Sequence, residues 1–481
     1  MSKTTETREV HFHVGPGKQL ITPKGIGIFL FVVLCLSVGI VTLVAPPVII
    51  GGVLLGVSVA ILIALYPYFG LLTYYVFNVV SPEQLFPSIA VLRPTRIFLA
   101  ALLVSVIFHK KLKHQVFLIW QSDISKLFIV FLISLALSIP LGFWPANSIE
   151  FMKNFLWTFA YFILLINILT SEQRLKGFIW LYILAGGYTA LSSTIAYITG
   201  NLVVAQGIER AESLTGTDPN TLAVTLVLHL PFMILAVPWI KNKFLRVLPI
   251  IFAAASILTI AITGSRSGVI GLVVTGFMIW LVSKKKVLVA MLAILVLVGG
   301  WFSLDDQYKE RYSSIFSSHY DPSTEGRFDA WIAGLQMFTH NPITGIGVDN
   351  FPYAYGAGVY STHSNYLRPH NMYVQIIAEL GILGLLAFGS FIYYVLRQNF
   401  RLRKRLKAEG IRGSPLLWIS YAVTISCGAL FVSAIFGHSL FRGHWYFCAA
   451  LTVVLLDLTD KLLHGGKAKD GTAAQRSSKR I

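Results

Sequence analysis

Residues 247–303 read VLPIIFAAASILTIAITGSRSGVIGLVVTGFMIWLVSKKKVLVAMLAILVLVGGWFS. Three apolar runs, 247–263, 267–283 and 287–303, are separated by one small polar turn and one basic turn. Each is roughly 17 residues long, at the lower limit of what a helix needs to cross a hydrocarbon core of about 30 Å. Such runs recur along the whole chain, which is 55% hydrophobic and only 12% charged over 481 residues. That composition is far too apolar for a soluble domain. Helices satisfy their own backbone hydrogen bonds in lipid, so the expected class is all-α, a polytopic integral membrane protein. The alternating pattern of an outer-membrane barrel is absent.

Working outward, further spans are expected at 95–109, 126–144, 152–170, 177–199 and 221–240 on one side, and at 372–396, 415–436 and 445–459 on the other. Nearer the start lie 25–45, 48–66 and a short, tilted or re-entrant piece at 68–80, followed by the Pro-punctuated loop SPEQLFPSIAVLRP. The run at 25–45 is too long for a signal-peptide core and lacks a convincing cleavage site, so it reads as an uncleaved first helix. The basic connectors HKKLKH (109–114), SEQRLK (171–176), KNKFLR (241–246), KKK (284–286) and RQNFRLRKRLK (397–407) occur at every second turn. This regularity predicts about 12 to 14 transmembrane helices with both termini cytoplasmic.

About three-quarters of the 39 Lys and Arg then fall on the cytoplasmic side. The net charge of +18 therefore reports orientation rather than nucleic-acid binding. The expected organisation is a cytoplasmic tail at 1–24, membrane helices over 25–303, one large periplasmic loop at 304–371, C-terminal membrane helices over 372–460 and a disordered cytoplasmic tail at 461–481. Cys35, Cys427 and Cys448 all lie in apolar segments and form neither a disulfide framework nor a metal spacing.

The polar groups gather on the outer side. There no ATP is available, so an enzyme would need a substrate that carries its own activation. His370, in RPHNMYVQ, stands where an apolar helix begins at Asn371. It reads either as a general base at the membrane surface or as an interface residue beside a helix end. Gly381 follows by almost three ideal turns, placing both on one face about 16 Å apart. Gly381 is expected to admit a neighbouring helix and so fix the rotation of the one presenting His370. Glu379, deeper in the same helix and on roughly its opposite face, reads as a structural hydrogen bond or ion pair.

Arg266 begins a helix in TGSRSG, and Arg210 lies in the loop GIERAESLTGTDPN. Guanidinium groups at this boundary suit a lipid-borne diphosphate, or contact with ordinary headgroups. Arg327 and Trp331 share a face of a predicted helix, with Asp329 on another. GIGVDN does not complete a GxGxxG fingerprint. Asp305 and Asp306 have no ligand spacing to support a metal site. Tyr353, Tyr355, Tyr360 and Tyr366 could stack on sugar rings or pack the loop.

Together RFDAW, NPITGIGVDNF and PHN…GILG, with His370 and Gly381 in a His-x10-Gly spacing, resemble the O-antigen ligase and O-antigen polymerase superfamily. The likeness extends to SRSG at Arg266 and to Arg210, Gly216 and Pro219–Asn220, covering roughly residues 205–390. One departure is Ile270 where the family's Arg-x3-Leu pattern has Leu. The resemblance implies a GT-C-like membrane glycosyltransferase that moves glycan from undecaprenyl diphosphate to an acceptor hydroxyl. The acceptor would be a glycan, lipid A-core or protein. His370 would be the base, Arg210 and Arg266 the diphosphate contacts, and Arg327, Asn371, Glu379 and Gly381 the supporting residues. Inversion, no cofactor and metal independence are expected. Ligase and polymerase differ only in acceptor; a glycolipid flippase or a passive scaffold are the readings of other classes. A flippase would predict discontinuous helices or ionisable groups near the bilayer midplane, and an internal repeat. No repeat is visible, and Glu379 and His229 are the notable deep candidates.

Overall fold

Ser122, Ser171, Asp218, Asn242, Ser265, Asn371 and Ser414 each stand immediately before a helix, and each side chain accepts from a backbone N–H of its first turn. These caps meet donors that have no intrahelical partner, which sets where the helices start. In the computed structural model the described residues are 58–63, 65–81, 93–112, 118–200, 202–205, 208–212, 218–313, 322–360, 366–437 and 439–478. The chain divides into Met1–Leu65, of which 58–63 are helical, and Tyr66–Ile481, which holds every element named below. The expected tail at 1–24, the helix at 25–45, most of the 48–66 span and Gly216 lie outside the described residues.

The helices are α1 (Pro67–Val80), α2 (Pro94–Leu112), α3 (Leu118–Gln121), α4 (Asp123–Ser138), α5 (Pro145–Ile168) and α6 (Glu172–Ile198). After a hairpin of β1 (Val203–Ala205) and β2 (Ile208–Arg210) come α7 (Pro219–Ala236), α8 (Lys243–Ile262), α9 (Arg266–Val282) and α10 (Lys286–Ser303). Then follow α11 (Asp306–Ser313), α12 (Pro322–His340), α13 (Phe351–Gly356), α14 (Met372–Ala408), α15 (Pro415–Ser433) and α16 (Gly443–Ser478). Among the described residues seven helices are long and apolar enough to cross a membrane, and α9 is a shorter apolar one. The protein is an all-α polytopic membrane protein.

Helix α7 is the hub. It packs on α6, α8, α9 and α15, and most of its side chains are buried. Helix α10 is the opposite case: it is apolar all round and none of its residues is buried, so its solvent is lipid.

The structure differs from the sequence reading in three places. The basic run 397–407 is not a connector but the last turns of α14, rich in helix-favouring Arg, Lys and Leu. There Arg403 is buried, donates to Ser420 O, Ser420 Oγ and Thr424 Oγ1, and lies 4.6 Å from the Tyr421 ring centre. The tail expected to be disordered continues α16 to Ser478, through three glycines that do not favour a helix. The loop at 304–371 carries three helices of its own, and the loop before α7 carries a hairpin pairing Val203 with Arg210.

Candidate functional site

His370 sits one residue before the cap of α14. Asn371 Oδ1 accepts from Tyr373 and Val374 N–H at 2.8 and 3.1 Å, and His370 itself has φ 47°. A left-handed backbone at a non-glycine residue is uncommon and turns the side chain out of the helix path. The neighbouring carbonyl of Pro369 accepts from Trp331 Nε1 at 2.8 Å, which brings the Arg327–Trp331 face of α12 to the histidine. Gly334, on the same helix, has no room for a Cβ against Val374, so α12 lies close on the first turn of α14. Burial, followed by the charges of Arg327 and Arg368, pulls the His370 imidazole down to about 4; Asp218 opposes them. The ring is therefore neutral at physiological pH, the form that can accept a proton.

The expected continuous helix from His370 through Gly381 is not what forms. Gly381 has φ 60° and ψ −157°, and α14 is broken there. The carbonyls of Ala378 and Glu379 accept from the N–H groups of Ile346 and Gly347 at 2.9 and 3.0 Å. The N–H groups of Ile382 and Leu383 donate to Pro342 and Ile343 carbonyls at 2.9 and 3.2 Å. The PITGIG turn thus replaces the helix's own bonds across the gap. An interrupted helix needs such substitutes, because unsatisfied backbone groups cost several kcal/mol each in lipid. Gly381 does permit a close approach, but of this turn's backbone rather than a neighbouring helix. Its Cβ would lie 2.5 Å from the Ile343 carbonyl. The one-face geometry of His370 and Gly381 lapses with the continuous helix, whereas Glu379 lies in the unbroken segment before Gly381.

Glu379 is fully buried beside the break. Its Oε2 accepts from Gln375 Nε2 at 3.2 Å and its Oε1 from the Phe351 N–H at 3.4 Å, at the start of α13. The turn is clamped from the other side by α4 and α5. Ser138 Oγ accepts from Val348 N–H, Ser148 Oγ donates to Val348 O, and Phe143 N–H donates to Ile346 O. Asp349, at φ 58°, pairs with Arg368 at 2.8 Å, two residues before His370. Tyr355 is buried core and Tyr353 packs edge-on against Trp144, whereas Tyr366 is 72% exposed.

The arginines assemble at the turn between α8 and α9. Arg210, at the end of β2, is 1% exposed; its Nε donates to Thr263 O at 2.5 Å and its Nη2 to Asn220 Oδ1 at 2.9 Å. Arg311 Nε donates to the adjacent Gly264 O at 2.6 Å, and Ser265 caps the helix whose first residue is Arg266. Tyr308 and Tyr312 of α11 hold the hairpin and the turn by bonding Glu209 O and Ala261 O. Burial, then the charge of Arg311, pulls Arg210 down to about 10, so it remains a cation at neutral pH.

Asp218 links the two halves: its charge acts on His370, on Arg210 and on Arg442. Burial raises its own carboxyl, but hydrogen bonds from the Thr221 hydroxyl and N–H outweigh that and leave it low. Asp218, Arg311, Arg368 and Arg442 were not singled out from the sequence. Asp218 alone has a local signal, an acidic cap directly before a proline that opens a helix. Asp305 accepts from the Tyr197 hydroxyl and Asp306 pairs with Lys309. Among the described residues no group of three or more His, Cys, Asp or Glu is placed to hold a metal ion.

A relative in Haemophilus influenzae, described as an uncharacterized protein, is 26% identical over 219 residues, which is 42% of this chain and 54% of that protein. The chain thus spans about half the length of that relative. The family model for O-antigen ligase matches residues 251–389, a span that contains Arg266, Arg327, His370, Asn371, Glu379 and Gly381 and leaves out Arg210. Over that span the chain is similar to the O-antigen ligase family.

Proposed function

We propose that the protein is a glycosyltransferase that moves a glycan from undecaprenyl diphosphate to an acceptor hydroxyl on the periplasmic face of the inner membrane. The observation that carries this reading is the meeting of a neutral, half-buried His370 with Arg327, Arg368 and Asp218 at the end of the bundle where Arg210, Arg266 and Arg311 gather. A lipid diphosphate is an activated donor. Its departure builds negative charge, which fixed guanidinium groups stabilise without reorganising.

In the proposed step His370 takes the proton of the acceptor O–H as that oxygen bonds to the anomeric carbon. The bond from that carbon to the phosphate oxygen breaks, and the lipid diphosphate leaves with the electron pair. Attack opposite the leaving group inverts the anomeric centre. Arg266 meets the diphosphate directly. Arg210, already holding the Thr263 carbonyl and Asn220, contributes its charge and fixes the turn that presents Arg266. Binding of the anionic donor offsets Arg327 and Arg368, which raises the basicity of His370 in the loaded enzyme. The break at Gly381 and the carboxyl of Glu379 keep the first turn of α14 rigid on the PITGIG turn, so His370 is held in place.

The test is transfer by the purified full-length protein in liposomes, with glycan on undecaprenyl diphosphate as donor and lipid A-core as acceptor. Release of lipid diphosphate coupled to glycosylated acceptor is expected, with His370→Ala inserted but inactive. Full transfer by His370→Ala would refute the assignment. Growth of glycan chains without transfer to the acceptor would show repeat-unit polymerisation instead.

A further inference from the structure

Beside this site lies a partly open cavity of about 590 Å³, lined by α1, α2, α5, α6, α7 and α16. Its wall is mixed: aromatic faces such as Trp157 and Tyr161, and hydroxyls and amides such as Thr158, Ser192 and Asn154. No carboxylate lines it, while Arg96, His229 and His444 do. Tyr182 lies face to face with His229 at 3.9 Å between ring centres. His229 Nδ1 bonds Thr225 O at 2.8 Å; as donor there it leaves Nε2 of the neutral ring as an acceptor.

Three buried polar atoms at this cavity have no hydrogen-bond partner among the described residues: the Tyr161 hydroxyl, His444 Nδ1 and Arg442 Nη1. Tyr161 and His444 line it, and Arg442 stands at its edge, where Nη2 donates to the lining residue Thr221 at 3.0 Å. Thr221 in turn donates to Asp218, the group whose charge also reaches His370. Buried polar atoms without partners carry a desolvation cost of about 1–3 kcal/mol each, so three at one cavity point to a ligand that completes them. Aromatic faces alternating with hydroxyls and amides match the two surfaces of a sugar ring, and a wall with a guanidinium and no carboxylate favours an anion.

We propose that this cavity binds an acidic sugar of the acceptor, with Arg442 gripping a phosphate or carboxylate on the ring and the aromatic wall holding its faces. This rests on the glycosyl-transfer reading for the word acceptor, but not for the binding itself. Thr221 ties the cavity to Asp218, whose charge acts on His370, so a sugar seated in it lies on the side of the proposed base.

The test is protection of a cysteine reporter, Ser192→Cys, in full-length protein in detergent. The rate of modification by a small charged thiol reagent is followed, with the labelling of the parent chain subtracted. Glucose 6-phosphate, glucuronic acid or both should slow labelling several-fold, and which of them does so identifies the anion; neutral glucose should not. Arg442→Gln should abolish the protection and Arg442→Lys should retain part of it, while His370→Ala should keep it in full although transfer is lost. Equal effects of all three sugars, no effect of any, or undiminished protection in Arg442→Gln would overturn the proposal. So would farnesyl phosphate protecting as well as the acidic sugars, since the cavity would then take a lipid carrier. Protection in a protein that shows no glycosyl transfer would keep the sugar site and reject the enzyme.

Discussion

Replacing Gly381 by Ala tests the broken helix directly. The conformation at φ 60° and ψ −157° belongs to a region populated essentially by glycine, and forcing another residue into it costs about 1–3 kcal/mol. The new Cβ would meet the Ile343 carbonyl at 2.5 Å and the Pro342 oxygen at 2.7 Å. Those oxygens accept the Ile382 and Leu383 N–H groups, so moving them weakens two hydrogen bonds, each contributing about 1 kcal/mol net. The sum is roughly 3–5 kcal/mol, a large share of the ~5–15 kcal/mol by which a folded domain is stable. Gly389→Ala is the control: it lies further along α14 with nothing within 4 Å of its Cβ position, and should be neutral or stabilising by up to about 1 kcal/mol. Reversible unfolding of the purified protein in mixed detergent reads both. If Gly381→Ala unfolded within about 1 kcal/mol of the parent, the inserted turn would not be what holds α14 together.

Other outcomes follow from the site. With the neutral imidazole as the proposed base, activity should fall only as pH drops through the depressed value of His370. The acid limb of kcat/KM should lie near 4 rather than 6.5, and Arg327→Gln, by removing a positive charge, should move it upward. Arg266→Lys should lose much more activity than charge conservation suggests, because the planar fork is gone; unchanged transfer would argue against a diphosphate contact. Glu379→Ala should destabilise by about 2–4 kcal/mol in the same unfolding assay, since it leaves the Gln375 amide and the Phe351 N–H buried without their acceptor. EDTA should leave the rate intact, and inhibition that added metal reverses would call for a cation at Asp305 and Asp306.

Membrane character was legible because it depends on local composition: apolar runs of spanning length, basic turns between them and single capping residues. His370 and the Arg327–Trp331 face were legible for similar reasons, since a helix start and an i,i+4 spacing are short-range signals. The break at Gly381 was not. The run AELGILG is apolar enough to continue a helix, and what interrupts it is a turn some forty residues earlier whose backbone takes over its hydrogen bonds. Arg442 and Arg311 were equally silent, because their roles come from the turn between α8 and α9 and from the start of α7, far away in sequence. Arg210 was visible as a charge, whereas its engagement with Thr263 and Asn220 belongs to the folded hairpin.

Glycan analysis of a strain lacking this protein, complemented with the parent chain or with His370→Ala, tests whether His370 drives glycan transfer. The parent should restore glycan on its acceptor, while His370→Ala, present in the membrane at the same level, should leave finished glycan on the lipid carrier. Normal glycan on the acceptor in the His370→Ala strain would contradict the account.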